Sequence, residues 1–416
     1  MQQTPSIRRL RHAFLFAALS LALPAAALAE TPLQAAIAKL TPQQQATFKA
    51  YEAARTAFER RVDRYWKTID AKRKRRTIKQ AHGKVVILAD FVKEQPPQYT
   101  GPKRPDEIYA MLPKPPKPPA PAEPKPVIPV VSDFLREAEA NYNFRPDRIT
   151  DDEFMIYYAL EAVKLGLSRD QVVRVYALET GGMGTYDLQS GYNPRTGHAA
   201  STALGYAQLL AANTIEQLRK EGEDFAERLD KLAAQHDADG KGHALRAKSA
   251  VLRRMIADAR TVRDSWPSHV AYAKTPKGLG MHALNLDGDI GPWMQVVKLK
   301  SITDYAAKKG MTKLTGGQLE LMNLAGPGHG FEMMQPSIRD MPTANFFDRG
   351  GYERNPVVHD KTGALLLVKL NEIMDRNVQK PGAVKFAQIF DGIGRRLNGK
   401  PNFEANANSF SPFGPR

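Results

Sequence analysis

A proline-rich segment constrains the folding of this chain more than any other feature. Residues 113–129 contain nine prolines, and proline has no backbone N–H with which to join a helix or a sheet. Segments of this kind extend as polyproline II spacers, although they can also serve as peptide ligands. The 416-residue chain is therefore predicted to fold as separate parts on either side of a linker at residues 112–131.

The amino terminus has the pattern of an export signal. Three arginines within residues 8–11 precede an apolar run at residues 13–29, and Ala27-Leu28-Ala29 fits a small-x-small cleavage site. The alternative is an uncleaved anchor, but the run is short for a bilayer span and Pro24 interrupts it. The sequence predicts a Sec-type signal peptide over residues 1–29, cleaved after Ala29. We expect a periplasmic or secreted protein with no transmembrane segment after cleavage.

The net charge and the absence of cysteine limit the kinds of site and partner that this chain can have. The formal net charge is +16 and there is no cysteine, which excludes disulfides, thiolate metal sites and cysteine nucleophiles. The positive excess favours an anionic partner. Export argues against nucleic acid and favours a polymer of the cell envelope. Since neither a zinc-type histidine spacing nor a phosphate-binding glycine loop is present, we expect no metal and no cofactor.

Residues 30–111 are predicted to form a basic helical module. Apolar side chains recur at helical spacing, Thr41 and Gln44 resemble a capping box, and we expect helix over residues 31–95. The densest basic run is residues 72–76. It is either a solvated helix face or a docking surface for an anionic polymer or an envelope protein.

Residues 132–398 are predicted to form one mainly α domain. It includes a helical insertion at residues 215–265, and a disordered tail is expected at residues 399–416. Helix-start signals stand at Thr150, Ser168, Thr315 and Thr362.

One carboxylate in this domain has the position of a general acid. In the helix predicted from Ser168, Glu179 continues the apolar face of Val172 and Tyr176 at its last turn. Burial and the negative end of the helix dipole both raise the pKa of a carboxyl group, so that it can hold a proton near neutral pH. The alternative is an ion pair with an arginine.

Two later segments carry polar groups in apolar surroundings. A helix is predicted to begin near Ser201 and to place Gln208 on its apolar stripe, with Gly205 allowing close approach of the backbone. A buried amide needs partners, which a sugar hydroxyl, an acetamido group or a backbone group can supply. Residues 321–328 then read as a helix containing Asn323 that ends in Gly-Pro-Gly.

Taken in order, these three segments resemble the motifs of the lysozyme-like lytic transglycosylases, which belong to the soluble lytic transglycosylase and goose-type lysozyme superfamily. The resemblance is that of a divergent member. The matching motifs are Glu179-Thr180-Gly181, Ser201-x-Ala203-x-Gly205-x-x-Gln208-Leu209 and Asn323-Leu324-Ala325-Gly326-Pro327-Gly328. The resemblance covers roughly residues 150–335 and implies a lysozyme-like helical fold. It also implies cleavage of the glycan strands of peptidoglycan.

The resemblance assigns roles to individual residues. Glu179 is the expected catalytic acid/base, acting alone because the substrate's acetamido group replaces a second carboxylate. Substrate contacts are expected at Ser201, Gly205, Tyr206, Gln208, Asn323 and Tyr192. The expected reaction cleaves the MurNAc–GlcNAc bond and forms a 1,6-anhydro product.

The sequence also departs from the family's pattern. Thr180 replaces the usual Ser, Met322 stands where a Tyr usually precedes the Asn, and Leu324 is inserted. Two alternatives therefore remain. One is a muramidase that hydrolyses the bond and takes its base from Asp187, Asp289 or Glu332. The other is a non-catalytic peptidoglycan-binding or envelope-assembly factor on a lysozyme-like scaffold.

Overall fold

The computed structural model describes residues 31–113, 127–238 and 240–398. The expected signal peptide, the expected disordered tail and residues 114–126 of the expected linker lie outside these ranges, so those expectations stay predictions.

The described residues are mainly α-helical, and the expected fold class is confirmed at that level. They contain no β-strand, only four isolated β-bridges. The helices are α1 Pro32–Ala38, α2 Pro42–Ala81, α3 Asp106–Met111, α4 Val131–Tyr142, α5 Asp151–Lys164, α6 Arg169–Glu179, α7 Ala211–Lys220, α8 Gly222–Gln235, α9 Gly242–Arg260, α10 Trp266–Tyr272, α11 Pro276–His282, α12 Ile290–Lys308, α13 Gly316–Ala325, α14 Pro327–Met333, α15 Arg349–Arg354, α16 Gly363–Asn377 and α17 Pro381–Asn398. In the part of the chain that the structure describes, no helix has the length and apolar character needed to cross a bilayer.

Side-chain caps set the start of the helices that matter for the site. Thr150, Ser168 and Thr315 each accept a hydrogen bond from the backbone N–H three residues later, at 3.3, 3.2 and 3.3 Å respectively. These bonds satisfy amide groups that a helix leaves unpaired at its first turn. The predicted starts of α5, α6 and α13 are confirmed.

Two helix predictions are wrong, both for the same physical reason. The helix expected over residues 31–95 ends at Ala81, because Gly83 adopts a left-handed φ of 63°. The helix expected to begin near Ser201 begins at Ala211. Gly205 and Gln208 have φ values of 76° and 46°, and they form a tight turn between the bridge partners Leu204 and Leu209. Left-handed residues break a right-handed helix.

The chain divides into two compact units. The smaller one comprises Met1–Ala57 and Tyr99–Pro119. Its described part has a core of Leu40, Ile108 and Leu112. The ring of Tyr109 packs at 5.5 Å from Phe48 and 5.9 Å from Tyr51.

The larger unit comprises Phe58–Gln98 and Ala120–Arg416, and it has two cores. The main core joins α4–α13 with α17 around a group of buried rings. Tyr206 lies among them, with ring centroids 4.8 Å from Tyr176, 5.3 Å from Phe154 and 5.8 Å from Phe386.

Residues 58–98 complete the second core of the larger unit. Trp66, Ile69 and Phe91 pack with α13–α16, and the Trp66 ring lies 5.3 Å from that of Tyr352. The sequence placed all of residues 30–111 in one module, whereas the contacts divide that stretch between the two units.

A buried arginine ties residues 58–98 to the second core. The Arg76 guanidinium is 2% exposed and donates to the carbonyls of Asp90 and Asn345. It lies 4.3 Å above the Phe91 ring and 3.8 Å from Glu332. These groups replace the water that a buried guanidinium loses.

Candidate active site

Glu179 is the last residue of α6. Val172, Val175 and Tyr176 on the preceding turns are fully buried, which orients this face of the helix toward the core. Glu179 as a whole residue is partly buried, and burial of its carboxyl group raises the pKa. Glu179 therefore stands where the apolar core meets the surface, at the negative end of the helix dipole.

Helix α13 brings Asn323 to this carboxylate. The Asn323 Nδ2 atom donates a hydrogen bond to Glu179 Oε1 at 2.8 Å, across 144 residues of sequence. The same nitrogen lies 3.3 Å from Glu320 Oε2, one turn earlier in α13. The first and third predicted motifs therefore meet side by side, each near the carboxyl end of its helix.

The side chain of Glu320 makes the site a carboxylate pair. Glu320 is 1% exposed. Burial, and then the negative charge of Glu179, raise the pKa of Glu320 well above its usual value. Burial likewise raises the pKa of Glu179, although the charge of Lys298 and hydrogen bonds from Glu320 and Asn323 offset part of the rise.

Lys298 on α12 supplies the positive charge of the site. Burial lowers the pKa of Lys298, while Glu179 and Glu320 act in the opposite direction. One ammonium balances one carboxylate, so a second ionised carboxylate would leave an uncompensated charge in poorly solvated surroundings. The arrangement therefore favours one proton shared by the two carboxyl groups, as in other close carboxylate pairs.

Lys298 also connects the second predicted motif to the pair. Its Nζ donates to the backbone carbonyls of Ala207 at 2.9 Å and Gln208 at 3.3 Å. The turn of the second motif thus contributes through its backbone.

The side chain of Gln208 is bound to the protein's own backbone. Its Nε2 donates to the carbonyls of Leu188 at 3.1 Å and Gly205 at 2.8 Å. A Cβ at Gly205 would overlap the side chain of Gln295, and Gln295 Oε1 accepts from the Ala207 N–H at 3.1 Å. In this structure Gln208 and Gly205 shape the turn.

None of the other three predicted substrate-contact residues has a hydrogen bond to Glu179 in the part of the chain that the structure describes. Tyr206 is 0% exposed, and its hydroxyl donates to Asp151 Oδ1 at 2.7 Å, so it belongs to the core and is not open to a ligand. Ser201 Oγ accepts from the Ala203 N–H at 3.0 Å, within its own loop. Tyr192 is 48% exposed, on the loop at residues 183–198.

The backbone is uncrowded at the two helix ends. A Cβ added at Gly181, just after α6, or at Gly326, just after α13, would meet no atom within 4 Å. Among the described residues, Asn323 Oδ1 has no hydrogen-bond partner although it is shielded from solvent. Next to the carboxylate pair there is therefore an acceptor that a hydroxyl or an amide N–H could satisfy.

The carboxylates proposed as bases for hydrolysis are all ion-paired. Asp187 lies 2.6 Å from an Arg148 nitrogen, Asp289 lies 2.6 Å from Lys248 Nζ, and Glu332 faces Arg76. The second carboxylate that actually adjoins Glu179 is Glu320.

Sequence reasoning missed Glu320 and Lys298, although both leave a signal. Glu320 interrupts the apolar run Leu319–Met322 three residues before Asn323, which places both on one helix face. Lys298 similarly follows Val296 and Val297 in an apolar stretch of α12. A charged residue within such a run needs a buried partner.

Among the described residues, no group of three or more His, Asp or Glu side chains could hold a metal ion. Comparison with family models, with curated proteins and with solved structures gave no match.

Proposed function

We propose that this chain cleaves the MurNAc–GlcNAc bond of peptidoglycan by a lytic transglycosylase reaction, with Glu179 as acid/base. The observation that carries the proposal is the 2.8 Å hydrogen bond between Asn323 and Glu179. It joins two motifs whose order resembles that family, at two helix ends with open space beside them. The mainly α character of the larger unit agrees with a lysozyme-like fold, which is part of the proposal.

The carboxylate pair supplies the proton for this chemistry. Glu320 is the more deeply buried member, so the shared proton rests mainly on Glu320 while Glu179 faces the open side. Transfer of that proton to Glu179 creates a general acid at the surface of the site. A carboxylic acid that holds its proton near neutral pH is what protonation of a leaving group requires.

The proposed reaction then runs in two steps. Glu179 donates its proton to the glycosidic oxygen and the bond from this oxygen to the anomeric carbon breaks, while the neighbouring acetamido group stabilises the cationic carbon. The ionised Glu179 next takes the proton of the C6 hydroxyl, whose oxygen bonds to the anomeric carbon and closes a 1,6-anhydro ring. The pair ends with the same single proton with which it began.

Asn323 and Lys298 have supporting roles in this proposal. The Asn323 amide fixes the orientation of the Glu179 carboxylate, and its unpartnered Oδ1 is placed to accept a hydrogen bond from the sugar. Lys298 balances the charge that Glu179 acquires when it gives up its proton. The partner class is peptidoglycan glycan strands, and the working compartment is the periplasm or the cell exterior.

The test is digestion of purified peptidoglycan sacculi, with products separated and weighed by mass spectrometry. The wild-type chain is compared with Glu179→Gln, which keeps the shape but cannot donate a proton. The matched control is Glu372→Gln, the same change at an exposed glutamate paired with Lys369. We expect anhydro products from the wild type and the control, and none from Glu179→Gln, with unchanged circular dichroism.

Each other result assigns a different function. Reducing products that depend on Glu179 would indicate a muramidase. An absence of products with intact binding to sacculi would indicate the non-catalytic binding factor. Anhydro products from Glu179→Gln would refute the role given to Glu179.

A further inference from the structure

A stripe of basic and aliphatic side chains lies on α2 and the segment that follows it, far in sequence from Glu179. On the helix the stripe repeats at spacings of three and four residues, so its members share one face. We call this surface the basic-aliphatic patch, and its members are Ala71, Lys74, Arg75, Ile78, Lys79, His82, Lys84, Val85, Ile87 and Leu88.

The aliphatic side chains of the patch are unusually exposed. Ile78 is 61% exposed and Val85 77% exposed. Ile87 and Leu88 are 53% and 43% exposed. Contiguous exposed apolar side chains are uncommon on the surface of a soluble protein. Where they occur, they mark sites that bind apolar or membrane partners.

The segment that carries these side chains is held firmly to the helix. Lys72 Nζ donates to the carbonyls of Ala89 and Phe91, both at 2.7 Å. Asp90 is 1% exposed, accepts from the Ile87 N–H at 2.9 Å and pairs with Lys79 at 2.5 Å. The Asp90 carboxylate faces inward, whereas Val85, Ile87 and Leu88 of the same segment face outward.

The charge around these side chains is mainly positive, with Asp90 paired to Lys79 and Arg75. Residues 71–89 include seven Lys or Arg and no Asp or Glu. Lys74 and Lys84 are exposed, and neither forms an ion pair with any described residue. They line a concavity of about 460 Å³ together with Ile78, and a second concavity of about 470 Å³ is lined by Val86–Ala89 with Ser337 and Ile338.

We propose that the basic-aliphatic patch docks on the surface of an anionic phospholipid bilayer. Cationic side chains beside exposed aliphatic side chains match the two layers of a bilayer interface, phosphate groups above acyl chains. A water-soluble polyanion would satisfy Lys74 and Lys84 but would leave Val85 and Ile87 in water. The bilayer is therefore the partner that accounts for both halves of the patch.

This inference goes beyond the proposed function and does not depend on it. No residue of the patch belongs to the carboxylate pair, so the loss of one activity leaves the other measurable. Docking on a bilayer would give the chain a fixed position beside its substrate if the proposed function holds.

The experiment is co-sedimentation of the full chain with lipid vesicles. One set contains equal parts phosphatidylglycerol and phosphatidylcholine, and the other contains phosphatidylcholine alone. The neutral set measures any contribution of the apolar run at residues 13–29. Two variants probe the halves of the patch, Lys74→Gln with Lys84→Gln and Val85→Ser with Ile87→Ser.

The control variant is Lys308→Gln with Lys313→Gln, which removes the same charge from exposed lysines elsewhere in the larger unit. We expect binding to the anionic vesicles that falls with salt. Each patch variant should weaken it about tenfold or more, since each removes two favourable contacts with the interface. The control should change it less than about twofold, and all three variants should keep the wild-type melting temperature.

Three results would overturn the proposal. The first is an absence of selective binding to anionic vesicles. The second is equal weakening by the control, which would mean that net charge alone drives binding. The third is weakening by the lysine variant but not by Val85→Ser with Ile87→Ser, together with equally tight binding of soluble poly-glutamate, which would identify an acidic polymer as the partner.

Discussion

Replacement of Lys298 by methionine tests the electrostatics of the carboxylate pair directly. The change keeps most of the side-chain volume and removes the one ammonium among the described residues whose charge lowers the pKa values of Glu179 and Glu320. It also removes the hydrogen bonds to the carbonyls of Ala207 and Gln208. Two carboxyl groups then share poorly solvated surroundings with no cation.

The expected loss of stability follows from the burial of the groups left behind. Removal of one partner from a close buried ion pair typically costs about 3–5 kcal/mol, and Lys298 acts on the two carboxyl groups through its charge without such a contact. Glu320 is 1% exposed but Glu179 is only partly buried, so water can still reach one member of the pair. We therefore expect Lys298→Met to lower the free energy of unfolding by about 3 kcal/mol at neutral pH, the low end of that range.

The pH dependence of this loss is the sharper criterion. Without Lys298 the folded pair takes up a second proton at a higher pH than the wild type does, because the pKa values of Glu179 and Glu320 rise further above the ordinary 4.5. The folded variant then binds one proton more than the folded wild type, so its stability deficit shrinks as the pH falls. The deficit should decrease as the pH falls from neutral toward the ordinary carboxyl pKa of 4.5, by up to about 1.4 kcal/mol per pH unit.

The assay is urea unfolding followed by circular dichroism at several pH values. The control is Lys300→Met on the same helix, which removes a surface i,i+4 pair with Asp304 and should cost less than about 0.5 kcal/mol. The reasoning is refuted if Lys298→Met costs no more than the control. It is equally refuted if its cost is the same at all pH values.

Three further predictions address other features of the larger unit. Gly205→Ala should lower the free energy of unfolding by about 2 kcal/mol, measured in urea, because the new Cβ overlaps Gln295 at a left-handed φ of 76°. Arg76→Met should lower the free energy of unfolding by about 3–5 kcal/mol, since the buried carboxylate of Glu332 loses its partner. The same change at the exposed Arg75 should cost less than about 1 kcal/mol. Glu320→Gln should move the alkaline limb of the proposed glycan-cleaving activity to lower pH by at least about one unit, because the upper protonation step of the pair disappears.

Each of these three predictions has a control or a contrary outcome that tests its physical cause. Gly310→Ala has a left-handed φ of 89° and no atom within 4 Å of the new Cβ, so it should cost only the backbone strain, about 1 kcal/mol. An equal loss at Gly205 would argue against the overlap. Equal losses for Arg76→Met and Arg75→Met would argue against a buried ionic role, and an unshifted pH profile in Glu320→Gln would argue against the shared proton.

Local signals in the sequence predicted much of the helical framework. The starts of α5, α6 and α13 follow from a side-chain oxygen that pairs with an amide three residues away, an interaction complete within one turn. The position of Glu179 on a buried face follows from the helical period alone. These features need no knowledge of distant residues.

The turn at Leu204–Leu209 shows where local reasoning failed. Its residues have helical spacing of apolar side chains, yet Gly205 and Gln208 adopt left-handed conformations because Gln295 and Lys298, roughly ninety residues away, bind the backbone of the turn. The predicted ligand contacts of Gln208 and Tyr206 stay predictions, and in this structure the Gln208 amide nitrogen and the Tyr206 hydroxyl bond to partners that tertiary packing supplies.

By itself the sequence determined the helical class, the starts of α5, α6 and α13, and the position of Glu179 on a buried helix face. Only the tertiary structure decided that this carboxylate has Glu320 and Lys298 as neighbours, and that residues 58–98 complete the second core through Arg76. The physical reason is the range of the interactions. Caps and helical faces involve residues a few positions apart, whereas the energy of a buried charge depends on which distant groups packing brings to it.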